Sequence, residues 1–120
     1  MAKTTTTKID TVSLTGRSGR HYEFRMYVWE TKFKAVPGVY LVASRSIEPG
    51  QKPTYSTLFV GGAADLSKAL KNHAGGECFQ MYLANVVGVL REERDGVRDQ
   101  IVADLVDSLA PPCNSTEGEW

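Results

Sequence analysis

At 120 residues the chain has the length of one domain, enough for a single hydrophobic core and too short for two. With 42% hydrophobic and 23% charged residues, and no apolar run near the roughly 20 residues of a membrane helix, its composition excludes a disordered chain and a helical membrane protein. The formal net charge is zero but unevenly placed: residues 1–60 hold nine Lys/Arg against four Asp/Glu, residues 61–120 five against ten, which argues against a protein that lives on phosphate contacts.

Residues 1–10 form a polar, threonine-rich lead-in without the apolar stretch of a secretory signal. Thr11 to Leu14 and Arg20 to Trp29 alternate at the strand period around a Gly16–Gly19 turn, which predicts a β-hairpin. Tyr22, Phe24, Met26 and Val28 share one face of its second strand and His21, Glu23, Arg25, Tyr27 and Trp29 the other, so both faces should be partly covered. Val39 to Ala43 reads as a strand, Ser46 to Thr57 as a loop punctuated by Pro49, Gly50 and Pro53, and Leu58 to Val60 as the next strand. A helix should run from Ala63 to His73 and stop at Gly75-Gly76, and Cys78 to Asn85 suits a short helix. Val86 to Leu90 is a further strand. The last helix takes Asp95 as N-cap and buries Val97, Ile101, Leu105 and Leu109, with Asp95, Asp99, Asp104 and Asp107 on its solvated face. Pro111-Pro112 ends it, ahead of a polar tail at 115–120. The chain is thus one α/β domain over 11–114.

Cys78 and Cys113 make a poor disulfide framework, so they read as reduced thiols in a cytoplasmic protein, and the Asn114-Ser115-Thr116 sequon reads as accidental. Gly61-Gly62 lacks the Lys-Ser/Thr that would make it a nucleotide loop, and close strand–helix packing accounts for it better. His73 and Cys78 have no second pair at zinc-ligand spacing.

In order, Gly38-Val39-Tyr40, Phe59-Val60-Gly61, the Asp65-Leu66 helix start with His73, and the closing Pro111-Pro112-Cys113-Asn114 resemble the GIY-YIG nuclease superfamily across residues 38–114. The resemblance implies a small antiparallel sheet flanked by helices, here extended by the N-terminal hairpin, and metal-dependent cleavage of a DNA phosphodiester. It implies that Tyr40 corresponds to the tyrosine that orients the attacking water and Phe59 to a second tyrosine stripped of its hydroxyl. Eight residues beyond Gly61, the family's phosphate-stabilising arginine corresponds to Ala69. The family histidine is matched by His73 and the closing asparagine by Asn114. Twelve residues before Asn114, the metal-binding glutamate corresponds to Val102. The loop over 41–58 is longer than the family's.

A phosphodiester transition state concentrates negative charge that alanine cannot stabilise, and valine cannot anchor a metal. The expectation is therefore a catalytically degenerate domain whose vestigial pocket comprises Tyr40, Phe59, Gly61, Ala69, His73, Val102 and Asn114. It needs no cofactor, acts as a binding or protein-interaction module, holds nucleic acid weakly at most and has no membrane association. The alternative is a divergent endonuclease or phosphodiesterase using Mg²⁺ or Mn²⁺, with Asp99 as a relocated carboxylate and Arg45 or Arg25 as a relocated cation beside Tyr40, His73 and Asn114. A DNA-binding module without catalysis is a third reading. The plain reading has Ala69 and Val102 as core residues and Asn114 as a tie for the chain after the last helix.

Overall fold

Strand-period alternation at the start of the chain becomes the expected hairpin. β1 (Asp10–Thr15) and β2 (His21–Val28) pair antiparallel, from Asp10 opposite Met26 to Thr15 opposite His21. Gly19 turns the corner at φ 91°, a conformation that costs glycine nothing. Phe24 and Met26 are buried while Glu23 and Arg25 are exposed, and on the latter face Tyr27 and Trp29 are half-buried. The computed structural model describes residues 8–29, 31–73 and 76–117.

Three more strands, β3 (Gly38–Ser46), β4 (Thr54–Ala63) and β5 (Val86–Arg91), complete a five-stranded sheet of order β1-β2-β5-β3-β4, antiparallel at every pairing. Among the described residues, four helices accompany it: α1 (Leu66–His73), α2 (Glu77–Met81), α3 (Asp95–Leu109) and α4 (Pro112–Glu117). The molecule is an α/β domain with a curled antiparallel sheet. None of its described helices is long and apolar enough to cross a membrane.

The interior strand β3, between β5 and β4, is buried from Gly38 through Ala43 because both of its faces are covered. Val39, Leu41 and Ala43 face Ile101 and Leu105 of α3, together with Phe24, Met26 and Val60. Tyr40 and Val42 face the other way, against Leu66 of α1, Phe79 of α2 and Cys113 of α4. A register shift between Val42 and Ala43 leaves Leu58 without a partner, a bulge that lets Leu58 and Phe59 both join this second cluster.

Several expectations need correction. β4 begins at Thr54, directly after Pro53, so the loop is confined to 47–53 and the strand runs on through Gly61-Gly62. α1 starts at Leu66, capped by Asp65, and α2 closes at Met81 instead of reaching Asn85. Asp95 is not the N-cap of α3: Arg94 holds that position in an extended conformation, and Asp95 sits in the first turn. Ala110 ends α3 in a left-handed conformation, and the prolines start α4, in which Pro112 occupies the first turn. Of the lead-in, Asp10 belongs to β1 and Ile9 donates its N–H to Met26 O, while residues 1–7 lie outside the described residues. Of the tail, 115–117 belong to α4 and 118–120 lie outside the described residues, as do Gly75 and its helix stop.

The largest correction concerns the cysteines. Cys78 and Cys113 are joined in a disulfide between α2 and α4, with Cα atoms 5.8 Å apart. A bridge closing 35 residues of chain stabilises by about 4 kcal/mol on the chain-entropy account. Counting two cysteines could not reveal that both lie on one face of the sheet.

Candidate functional site

Tyr40 stands directly opposite Gly61 across the β3–β4 ladder, and Val42 opposite Phe59. The Tyr40 and Phe59 rings therefore emerge on one face, with centroids 5.7 Å apart and planes tilted by 36°. Gly61 makes room for both. A Cβ there would come within 2.8 Å of the Phe59 ring edge and 3.1 Å of the Tyr40 hydroxyl. Gly38 is required more strictly, since a Cβ would sit 2.6 Å from the backbone carbonyl of Leu90. The Gly38-Val39-Tyr40 motif is thus explained by packing: a glycine where β5 crowds β3, then residues directed to opposite faces.

This face is closed over by aromatic side chains. Phe79 meets the Phe59 ring edge-on at 6.0 Å, and Trp29 meets Phe79 at 5.9 Å. Tyr40 is 3% exposed and Phe59 5%. Ala69, half-buried on α1, packs against the same cluster. The helix is set by Asp65, whose carboxylate accepts from the Ser67 N–H at 3.0 Å, the Ser67 hydroxyl at 2.6 Å and, more distantly, the Lys68 N–H at 3.4 Å. The Ser67 hydroxyl, followed by the backbone donors, holds the Asp65 carboxyl below the usual carboxylate range. Leu66 N–H is bound by Val36 O at 2.9 Å.

Asn114 reaches the sheet from α4 in a different manner. Its carboxamide accepts the Val60 N–H at 2.8 Å and donates to the Val60 carbonyl at 2.9 Å. Because β4 is an edge strand, the side chain stands where a sixth strand would pair.

Val102 lies on the opposite face. A Cβ on Gly62 would touch Val102 Cγ2 and Arg98 Cβ, each at 3.6 Å, whereas one on Gly61 points at Tyr40 and Phe59. Val102 also packs with the α3 cluster. The structure brings Tyr40, Phe59, Gly61 and Ala69 together, places Asn114 at the edge beside them, and separates Val102 by the thickness of the sheet. The backbone of His73 belongs to α1, and its side chain lies outside the described residues.

The alternative set is dispersed. Arg25 is exposed on β2 in the cross-strand row Arg25, Val89, Tyr40, Gly61, two strands or about 10 Å from Tyr40. Arg45 lies five residues beyond Tyr40, about 16 Å along β3, where its Nε donates to the Tyr55 hydroxyl at 2.9 Å. Asp99 is exposed on α3. Among the described residues, no group of three or more His, Cys, Asp or Glu side chains is placed to hold a metal.

Other residues that carry the structure were not legible as such. Arg98 is 6% exposed and donates to the Glu92 and Glu93 carbonyls at 3.1 and 3.2 Å while pairing with Asp95. The i,i+3 spacing of Asp95 and Arg98 was the available signal. Asp104, expected in solvent, accepts from the Ser18 N–H at 2.8 Å, the Ser18 hydroxyl at 2.6 Å and the Tyr22 hydroxyl at 2.7 Å. It fixes the β1–β2 turn to α3, and these donors hold its carboxyl below the usual range.

The large hydrophobic side chains left exposed among the described residues are Ile9, Val28, Ile47, Met81, Tyr82 and Leu83. All lie toward one end of the sheet, where β2 and β3 finish and β1 and β5 begin. Leu83 is 75% exposed and Met81 73%. Leu83 also has φ 61°, the left-handed region that glycine or asparagine adopts at lower cost.

No protein-family model, curated protein or solved structure matches the chain.

Proposed function

We propose that the chain is a non-catalytic binding domain, a degenerate relative of the GIY-YIG scaffold that engages a protein partner through the Met81-Tyr82-Leu83 turn. The observation that carries this reading is Leu83, a bulky apolar residue presented to solvent from a backbone conformation that disfavours it. Strain of this kind persists where the surrounding structure imposes it, and it concentrates at binding sites. Val28 and Ile47 at the same end extend the apolar surface a protein partner would cover.

The Tyr40 face supports the absence of phosphodiester chemistry in this reading. Tyr40 and Phe59 are sealed under α1, α2 and α4, and the position matching the metal-binding carboxylate belongs to the other face. A cytoplasmic location is part of the proposal too. In such a compartment the Cys78–Cys113 bond would cycle with the thiol pool.

The test is a photo-reactive phenylalanine analogue in place of Tyr82, irradiated in the cell that makes the protein. The reading expects a covalent adduct with a second polypeptide, lost when Met81→Ser and Leu83→Gly are added. No adduct, or an adduct indifferent to those changes, refutes it. A parallel assay with duplex DNA and Mg²⁺ or Mn²⁺ separates the rival: cleavage abolished by Tyr40→Phe establishes the divergent enzyme.

A further inference from the structure

Cys113 and Asn114 are neighbours on α4 with different partners. Cys113, 3% exposed, is bonded to Cys78 of α2, and Asn114 is bonded to both backbone groups of Val60 on the outer edge of β4. Neither α2, at five residues, nor α4, at six, has the length to be a stable helix by itself. Each is held by what it touches, and the covalent bond between them is the strongest of those attachments. We infer that the Cys78–Cys113 disulfide is a redox latch that keeps Asn114 clamped on the β4 edge, and that reduction opens that edge while the rest of the sheet stays folded.

The chemistry is ordinary thiol–disulfide exchange with a dithiol reductant. Cys78 is half-buried and Cys113 buried, so attack falls on the less buried cysteine. A thiolate of the reductant attacks Cys78 Sγ, the S–S bond breaks, and Cys113 leaves as a thiolate that takes up a proton. The second thiol of the reductant then displaces Cys78 as a thiol, so two electrons and two protons pass to the protein and the reductant becomes a disulfide. The sheet has no covalent dependence on this bond. β3 remains paired with β4 on one side and β5 on the other, and α3 still covers the opposite face. With the tether gone, the carboxamide of Asn114 keeps only its two hydrogen bonds and the packing of its short helix, and the Val60 N–H becomes available to solvent.

Amide hydrogen exchange of the full chain, oxidised and in dithiothreitol, tests this directly. Reduction should accelerate exchange of the Val60 amide by about tenfold or more beyond the β3 amides of Val39 to Val42, whose protection falls only by the share of global stability that the crosslink supplied. Cys78→Ser should reproduce the reduced pattern without reductant. In Asn114→Ala the Val60 amide should already exchange fast in the oxidised protein, with little further change on reduction. The latch is overturned by an unchanged Val60 rate on reduction. It is equally overturned by an equal loss of protection at Val60 and β3, with no excess at Val60, which would make the disulfide a global staple alone. Undiminished acceleration in Asn114→Ala would show that the disulfide does not act through Asn114.

Discussion

Tyr55 donates its hydroxyl hydrogen to Asp10 Oδ2 at 2.7 Å, joining β4 to β1, the strands at opposite edges of a five-stranded sheet. A flat sheet would hold those edges about 19 Å apart, at 4.8 Å for each strand-to-strand step. The contact therefore measures how far the sheet curls, and the concave side it creates is where α3 buries Ile101 and Leu105 against β2, β3 and β4. Arg45 completes the junction by donating to the Tyr55 hydroxyl at 2.9 Å, so a residue considered as a relocated catalytic cation is engaged in closing the sheet.

Titration should reveal this junction. The Tyr55 hydroxyl, aided by the Thr11 N–H, holds the Asp10 carboxyl below the usual range, while burial and then the Asp10 hydrogen bond raise Tyr55 above its ordinary value. A depressed carboxyl contributes stability above its unfolded value that is lost as pH falls through the folded one. A raised phenol contributes stability below its unfolded value that is lost as pH rises through the folded one. Urea unfolding from about pH 7 to about pH 3 should show a shallower acid decline in Asp10→Asn than in the native chain. Tyr55→Phe should flatten the alkaline side above about pH 10.

Asp104 should prove structural. Asp104→Ala removes the acceptor of Ser18 and Tyr22 together and should lower the melting temperature by several degrees, with fast amide exchange at Ser18 as the local sign. A variant that melts like the native chain would show that the hairpin turn does not depend on α3.

These residues show what the sequence withheld. Alternation in β2 and the apolar run of β3 were legible because each position's fate follows from its own strand. The first half of β4 was hidden by Pro49, Gly50 and Pro53, which end where Thr54 begins pairing with Ser46. α4 was hidden by a proline pair read as a stop, although proline suits the first turn of a helix. Asp104 lies 82 residues from Tyr22 and Asn114 lies 54 from Val60, so their roles exist only after the fold has formed. For the candidate site, the Tyr40, Phe59 and Gly61 juxtaposition was legible from the motif order. The face occupied by Val102 depends on where α3 crosses the sheet, which helical spacing alone does not specify.

The glycines give a graded test. Gly38→Ala pushes a Cβ against the Leu90 backbone at 2.6 Å, which cannot move without disturbing β5, and should cost about 2–4 kcal/mol. Gly62→Ala meets only ordinary contacts at 3.6 Å and should fall within about 0.5 kcal/mol of the native chain. Denaturant unfolding of both reads the order directly, and a reversed order would contradict the packing account of Gly38-Val39-Tyr40.

Leu83→Gly should raise stability by about 1 kcal/mol, because glycine removes the left-handed strain at φ 61° and the exposed leucine gives up little packing. A stabilising substitution that abolishes the Tyr82 cross-link would separate binding from folding. A destabilising outcome would mean that the leucine serves the fold.

The last test restores charge where the motif comparison puts it. Ala69→Arg places a guanidinium at a half-buried position of α1 that packs against the Tyr40 and Phe59 cluster, from which its long stem can carry the charge to solvent. The cost should be about 1–2 kcal/mol. Val102→Glu puts a carboxylate on the other face of the sheet, against Gly62 and the α3 cluster, and should cost about 2–3 kcal/mol through desolvation. A metal held by that carboxylate and a phosphate held by that guanidinium would stand on opposite sides of β3 and β4. A catalytic pair must reach the same phosphate, so the double variant should remain inactive on duplex DNA with Mg²⁺ or Mn²⁺ even where it is folded. Circular dichroism establishes folding before the cleavage assay. Metal-dependent cleavage by the folded double variant, absent from both single variants, would require the two positions to share one face and would overturn the arrangement of α3 on which this reading depends.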